Sequence, residues 1–369
     1  MEPEEQTTIH ASNERLIIGM RIDTSLRDAI QVELNWMASA TWVWLGWRMH
    51  RNCFHLNPLL ASGVTIFVLT VCLTAAPKPV PSMQVLPLPN HEISFQRDGH
   101  ELMRYHFGPG LRRPFLYPIV GPIGRSLTRM GHPHDPESHS HHNSIWISHA
   151  SVDGVSFWED RGSPGRILHK RVERFTDAND AASVMVVNSW TTTNQVLLTE
   201  KRLLTMRPLA RDEWLLLLDL QLEPRADTAT FGKTPFGLVG VRMAKTIGVN
   251  DGGGEIRNSE GGINETNVLW KRARWVDYSG PIKDKTIEGI TLMDHPGNPN
   301  HPTFFHVRND GWMGASLTYD APRTVMRHKP LRLRYGLYVH RGSPKPAVLD
   351  EQWRAFADLP LSALDPIRK

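Results

Sequence analysis

From Met83 onward, the chain consists of short apolar or alternating segments that turn residues separate. Residues 183–190 form one such segment, and residues 331–339 alternate apolar and polar side chains with a period of two. Residues 214–222 are apolar enough to be buried on both faces of a sheet. These segments predict an all-β fold, a large antiparallel β-sandwich of two sheets.

The connections between these segments favour the same fold. Glycine- and Asn/Asp-rich sequences at 251–254 and 309–311 are typical of turns. Apolar residues take helical spacing only near the end, over 349–356. Strands and helices do not alternate, which argues against a parallel sheet.

The amino-acid composition limits the classes of function that this protein can have. Hydrophobic residues make up 40% of the 369 residues and charged residues 22%, as in ordinary globular proteins. The formal net charge is +4, but the basic residues are dispersed in runs of two at most, so we expect no nucleic-acid partner. The two cysteines, Cys53 and Cys72, precede the predicted β domain, so no disulfide framework is expected there.

The N-terminal region contains an uncharged apolar segment at 59–76, followed by a proline-rich stretch. It has the character of a signal sequence or of a marginal membrane span. Met49 and Arg51 would supply a short basic start to such a signal. We therefore expect a periplasmic or secreted protein, or alternatively one anchored in the membrane by 59–76. The predicted division is an upstream or disordered extension at 1–48, a signal peptide or anchor at 49–76 and a single β domain at 77–369.

Histidines are concentrated in residues 132–149. Five of the 18 histidines lie between His132 and His142. Imidazole is both a common metal ligand and the side chain that titrates near neutral pH. Three interpretations are open: a solvated polar loop, a metal site without a fixed ligand spacing, or imidazoles that bind substrate or move protons. The candidate catalytic histidines are His139, His141 and His142, and the candidate substrate-binding residues here are Trp146 and His149.

A second polar segment, 293–308, contains three prolines and a glycine and predicts a rigid loop. Its candidate substrate-binding residues are His295, His301, His306 and Arg308. The alternative is a structural turn held by Asp and Asn side chains. We predict that the imidazoles of His142 and His306 meet over one hollow of a curved β surface.

Four isolated residues are further candidates. Arg113 and Tyr117 either contact a ligand or pack in the fold, and the sequence favours neither alternative. Arg242 lies in an apolar strand, where a buried guanidinium needs a partner or a ligand. Glu260 lies in a glycine-flanked loop and is a candidate general base, although turn chemistry explains it equally well.

The sequence lacks the motifs of several enzyme classes. It contains no G-x-S-x-G, no P-loop, no dinucleotide-binding fingerprint after a strand and no C-x-x-C pair. No nucleotide cofactor is expected, and a metal stays possible.

Several motifs, in order, resemble the PmoA-like family. The resemblance extends from about Met83 to Gly342 and is carried by RPFLYP at 113–118, HSHHNSIW at 139–146, DGVSFW at 153–158, NSEGG at 258–262, WVDYSG at 275–280 and the segment 294–308. The chain departs from the family pattern at Ser138, Ser140 and Asn143, where Asp, Pro and Arg are usual.

The resemblance implies a supersandwich similar to galactose mutarotase, with a sugar-like ligand on a concave sheet face. The family's label, methane oxygenase, is misleading, since the membrane subunit of that enzyme is a helical protein with many spans. We therefore expect a carbohydrate-active protein that uses a histidine against a carboxylate such as Glu260. The alternatives are a non-catalytic sugar-binding module and a histidine-ligated metal protein.

Overall fold

The computed structural model describes residues 79–131, 139–162 and 165–359, together with 361, 362 and 364. The predicted extension, signal segment and possible span fall on residues 1–78, outside the described residues, and stay predictions. His132 and His134 lie outside them as well. Within the described residues, no helix is long and apolar enough to cross a membrane.

The described chain is built of strands with a few short helices. The strands are β1 (Met83–Leu88), β2 (Glu92–Arg97), β3 (His100–His106), β4 (Phe115–Ile119), β5 (Ile145–His149), β6 (Arg166–Asp177), β7 (Ala182–Thr191), β8 (Val196–Pro208), β9 (Trp214–Pro224), β10 (Thr228–Phe231), β11 (Gly237–Arg242), β12 (Glu255–Asn258), β13 (Lys271–Arg272), β14 (Trp275–Lys283), β15 (Thr286–Asp294), β16 (Phe304–Arg308), β17 (Trp312–Ser316), β18 (Arg323–Met326) and β19 (Leu331–Arg341). The α-helices are α1 (Val249–Gly252), α2 (Asn264–Val268) and α3 (Pro346–Ala357), and two 3-10 turns cover Ala210–Asp212 and Lys245–Ile247.

The strands form two large antiparallel sheets. The first has nine strands in the order β1-β2-β3-β4-β5-β11-β17-β16-β13, and the second has eight in the order β12-β14-β15-β19-β9-β8-β7-β6. β10 and β18 form a separate pair. This confirms the predicted all-β fold with two large antiparallel sheets.

One continuous apolar core joins the two sheets. Alternate residues of each strand point into it, because successive side chains of a strand face opposite sides. Ile145 and Ile147 of β5 contribute from the nine-stranded sheet, and Leu216 and Leu218 of β9 contribute from the eight-stranded sheet. The intervening residues of β5, Trp146 among them, are left for the opposite, outer face.

The strand β9 is buried on both faces, as its sequence predicts. Leu215 and Leu217, on the face away from the main core, pack against Leu349 and Phe356 of α3. The helical spacing near the C-terminus is thus explained: α3 covers part of the outer face of the eight-stranded sheet. The nine-stranded sheet leaves its outer face to the site described next.

Candidate functional site

Four residues in register form a row across adjacent strands of the nine-stranded sheet. Gly240 of β11 pairs with Trp146 of β5 on one side and with Gly314 of β17 on the other. Gly314 pairs in turn with His306 of β16. The two segments that the sequence singled out, around Trp146 and His306, therefore lie at the ends of one row with two glycines between them.

The glycines of this row leave room for indole rings. A Cβ atom on Gly240 would lie 2.8 Å from ring atoms of both Trp146 and Trp312, and one on Gly314 would lie 2.8 Å from the ring of Trp312. Real Cβ atoms do not approach other heavy atoms so closely, so only glycine lets the rings lie against the strands. The outer face of the sheet thus has an aromatic floor.

The floor is a cluster of three indoles with one imidazole on top. The ring centroids of Trp146, Trp158 and Trp312 are 5.2 to 5.5 Å apart. The ring of His142 stacks on Trp146 and Trp312 with centroid distances of 5.1 and 5.0 Å. Offset stacking of this kind holds an aromatic ring in one orientation.

The histidine segment folds back over this floor. The backbone N–H of His142 donates to the carbonyl of His139, and that of Gly131 donates to the carbonyl of His142. The ring of His142 then lies 4.4 Å, centroid to centroid, from both His139 and His141. Three imidazoles are packed together at this point.

Arg113 fastens this segment to the loop that carries Trp158. Its guanidinium is buried and donates to the carbonyls of His141 and Trp158 at 3.0 and 2.7 Å, and it pairs with Asp160 at 2.8 Å. It also donates to the side chain of Asn143, 3.0 Å away. Arg113 therefore positions the two loops and does not line the cavity between them.

A cavity of about 440 Å³ opens over the aromatic floor. Its lining residues are His139, His141, His142, Trp158, Glu159, Phe236, Asn250, Glu265, His306, Arg308, Asp310 and Trp312. One part of this wall is aromatic, and the other part carries charged groups.

The charged part is held by ion pairs. Asp310 pairs with Arg242 at 2.9 Å, and one of its oxygens lies 3.7 Å from Nδ1 of His139. Arg308 pairs with Glu265 at 3.1 Å. Glu159 adds a third carboxylate to the lining, so the wall offers both donors and acceptors with an excess of acidic groups.

Three imidazoles of the cavity, those of His141, His142 and His306, are neutral at physiological pH. Burial, with Arg113 adding to it, lowers the pKa of His141 to about 4, and burial beside Arg308 lowers the pKa of His306 to about 4. Burial and the neighbouring His141 push the pKa of His142 still lower. Nδ1 of His142 and Nδ1 of His306 are buried and have no hydrogen-bond partner among the described residues.

The structure brings together most of the histidines that the sequence indicated. His139, His141, His142, His306 and Arg308 line the cavity. Trp146 lies beneath His142, and Arg242 lies behind Asp310. The rings of His142 and His306 do share one hollow, as predicted.

Three predicted histidines instead have structural partners elsewhere. Both ring nitrogens of His149 are engaged, one with the carbonyl of Ser151 and one with the hydroxyl of Thr318. His295 is bonded to a carbonyl at the end of α3, and His301 to the carboxylate of Asp294 at 2.7 Å. The sequence cannot separate these histidines from those of the cavity, because the separation depends on strand pairing.

Glu260 and Tyr117 also lie outside the cavity lining. The carboxylate of Glu260 is exposed in the loop after β12, 3.9 Å from Arg274, and it accepts a bond from the neighbouring Ser259. Tyr117 packs beside the indole cluster, and its carbonyl accepts from His106. Neither residue is therefore placed to contact a ligand in the cavity.

Sequence reasoning did not select seven of the lining residues: Trp158, Glu159, Phe236, Asn250, Glu265, Asp310 and Trp312. For two of these residues, Asp310 and Trp312, the sequence did contain a signal that could have indicated them. Asp310 and Trp312 flank Gly311 in the turn between β16 and β17, directly after the candidate Arg308. A tight hairpin keeps such neighbours on the same surface.

No metal centre is formed by the residues that the structure describes. Among them, no group of three or more His, Cys, Asp or Glu side chains is placed to hold a metal ion. In the imidazole cluster, the rings of His139 and His142 stack, and the ring of His141 lies edge-on to both.

Residues 92–354 match the model of a family of unknown function, DUF6807. The chain belongs to this family. The match contains all the residues that line the cavity. No curated protein matches the sequence.

Among solved structures, the chain is similar to a candidate mutarotase from Salmonella typhimurium. The two are 10% identical, the match covers 75% of this chain and 100% of the other, and the TM-score is 0.32. A likeness this remote says nothing about the reaction, and the function must be argued from the cavity of this DUF6807 protein itself.

Proposed function

We propose that this protein binds a sugar-like small molecule in the cavity over Trp146, Trp158 and Trp312 and acts on it by acid–base chemistry. The observation that supports the proposal most is an aromatic floor beneath a cavity whose wall carries imidazoles and carboxylates. The cavity volume of about 440 Å³ is within the range of small-molecule sites.

A sugar ring has the surface that such a cavity complements. Its C–H faces are apolar, and its hydroxyl groups surround the ring at the edge. Trp158, Trp312 and Phe236 offer aromatic surface to the faces. The side chains of Glu265, Arg308 and Asp310 in the cavity wall offer donors and acceptors to the hydroxyl groups.

The candidates for proton transfer are His139 and Asp310. The 3.7 Å between Nδ1 of His139 and the carboxylate of Asp310 places an imidazole beside an acidic group at the cavity wall. A carboxylate beside an imidazole is an arrangement that general acid–base chemistry uses. Glu159 and Glu265 line the same cavity and provide the second acid or base that epimerase, lyase and hydrolase reactions need.

Incubation of the full chain with a panel of sugars and oxidised glycosides, followed by NMR, tests the proposal. We expect binding or turnover of at least one sugar, with loss in Trp312→Ala and in His306→Ala. The control is His328→Ala, since His328 is an exposed histidine beside β18 and not among the residues of the cavity. If no sugar is bound or converted, or if the control loses as much as the cavity variants, the proposal fails.

A second candidate function is non-catalytic sugar binding. The low pKa of His141 and His306 supports it, because an imidazole that stays neutral down to pH 4 binds hydroxyl groups well but is a weak base. Sugar binding that persists in Asp310→Asn, with no turnover in the wild-type protein, would favour this candidate. Turnover that Asp310→Asn abolishes would exclude it.

A further inference from the structure

Next to the cavity, an indole lies at the surface. Trp270 precedes β13, the edge strand of the nine-stranded sheet, and 43% of it is exposed. Its ring centroid is 6.2 Å from that of His306, whose ring is in turn 5.9 Å from Trp312 on the cavity floor. His306 thus stands between the aromatic floor and this outer indole.

The exposure of Trp270 belongs to a local pattern. Only three large aromatic side chains are exposed in the described residues: Phe175, Phe236 and Trp270. Two of the three flank His306, since the ring of Phe236 is 5.2 Å from it. Phe175, in contrast, lies on β6 at the far edge of the other sheet.

Trp270 is held firmly in spite of its exposure. Its backbone φ of 57° lies in the left-handed region, which is costly in free energy for a residue with a bulky side chain. Such a conformation persists only where the surrounding structure enforces it. The backbone N–H of Trp270 donates to the carbonyl of Phe305 at 2.8 Å. Upstream, Glu265 and Asn309 exchange two hydrogen bonds, which tie the start of α2 to the turn after β16.

The aromatic surface continues beyond Trp270. The ring of Tyr319 is 5.9 Å from that of Trp270 and 4.5 Å from that of Phe304, and the guanidinium of Arg272 lies over Phe304. Arg272 is itself fixed by Asp320 at 2.8 Å. The strip formed by Trp270, Tyr319 and Phe304 is thus a surface of packed rings that begins beside His306 in the cavity wall.

We propose that Trp270 forms a second, outer sugar subsite, so that the ligand class is an oligosaccharide whose neighbouring ring stacks on Trp270 while one ring occupies the cavity. This inference rests on the proposed function and extends it. A strip of aromatic rings with polar groups at its edges suits a chain of sugar rings, because each ring repeats the same apolar face and hydroxyl edge. Rigid aromatic side chains bind with little loss of entropy.

The test measures binding by calorimetry and saturation-transfer NMR on the full chain. The probes are glucose, mannose, xylose and galacturonic acid, each with its 1,4-linked disaccharide and tetrasaccharide. For at least one series, we expect the longer sugars to bind about three- to tenfold more tightly than the monosaccharide, as one added stacking contact implies. Trp270→Ala and Trp270→Leu should remove this gain and change monosaccharide affinity less than twofold, whereas Trp270→Phe should keep most of it.

Phe175→Ala is the matched control, an exposed aromatic residue away from the cavity, and it should leave both affinities unchanged. If a monosaccharide binds but longer sugars gain nothing, or if the gain survives in Trp270→Leu, the outer subsite is refuted and the proposed function stands. If light scattering shows a dimer that Trp270→Leu dissociates, the strip is a contact between copies and the inference is overturned. If no probe binds at all, the proposed function falls and the outer subsite with it.

Discussion

The imidazole of His142 stacks on the indole of Trp312, with ring centroids 5.0 Å apart and ring planes 21° apart. The two residues come from distant parts of the chain and meet on the outer face of the nine-stranded sheet. This contact buries His142 and keeps its ring neutral, because burial lowers its pKa far below the usual value.

Acid should destabilise the fold through the buried imidazoles. His306 has a pKa near 4 in the fold, against about 6.5 in the unfolded chain, so between these pH values the unfolded state binds more protons. The free energy of unfolding should therefore fall as the pH is lowered from 6.5 to 4, by on the order of 3 kcal/mol for this residue. Urea unfolding at several pH values should show a shallower slope in His306→Gln than in wild type. The exposed His328, replaced by Gln, should leave the slope unchanged, and equal slopes in all three proteins would contradict the prediction.

Glu288 should have the opposite effect. Its carboxyl group is buried in the core, accepts one bond from the N–H of Ile123, and has its pKa raised to about 7 by burial. The native state therefore binds more protons than the unfolded state between pH 4.5 and 7, and this contribution to stability is lost as the pH rises through 7. Glu288→Gln should stabilise the protein more at pH 8 than at pH 5 in thermal unfolding. Glu260→Gln, at an exposed carboxylate, is the control; a Glu288→Gln effect independent of pH would refute the account.

Gly240→Ala should displace the aromatic floor. The added methyl group would meet Trp146 and Trp312 at 2.8 Å, so the rings or the strands must shift. We expect a loss of about 1 to 3 kcal/mol in the free energy of unfolding and a changed near-ultraviolet circular dichroism spectrum. Gly110→Ala is the control, because nothing lies within 4 Å of a Cβ atom there. An unchanged spectrum in Gly240→Ala would show that the floor is not packed as described.

Arg113→Lys should loosen the loops around the cavity. Lysine cannot reproduce the bonds to His141, Trp158 and Asp160 together, and the carbonyl of Trp158 that is left behind is buried. We expect a loss of about 3 kcal/mol in urea unfolding and faster hydrogen exchange in both loops. Arg112→Lys is the matched control, since the described contact of Arg112 is a single bond of 3.4 Å to the carbonyl of Asp160. Equal losses in the two variants would argue against the positioning role.

The fold was largely predictable because its signal is local. Alternation with a period of two requires only neighbouring residues, and it indicated β7 and β19 correctly. The burial of β9 on both faces was likewise predictable from its run of leucines. The helix α3 packs against the second face of that strand. The resemblance to known motifs gave the same architecture independently.

The site was predictable only in part, because strand pairing decides which of the candidate residues line the cavity. His295 and His306 look alike in the sequence, yet one bonds a carbonyl at the end of α3 and the other lines the cavity. Glu260 has the surroundings of a general base in the sequence and lies in an exposed loop in the structure.

The sequence by itself determined that this chain forms two large β sheets and that its histidine-rich segment holds candidate site residues. Only the tertiary structure decided which residues share the cavity, since register across β5, β11, β17 and β16 sets Trp146, Gly240, Gly314 and His306 in one row. The physical reason is that side-chain alternation is fixed by the backbone of a single strand, whereas register is fixed by hydrogen bonds between strands far apart in the chain.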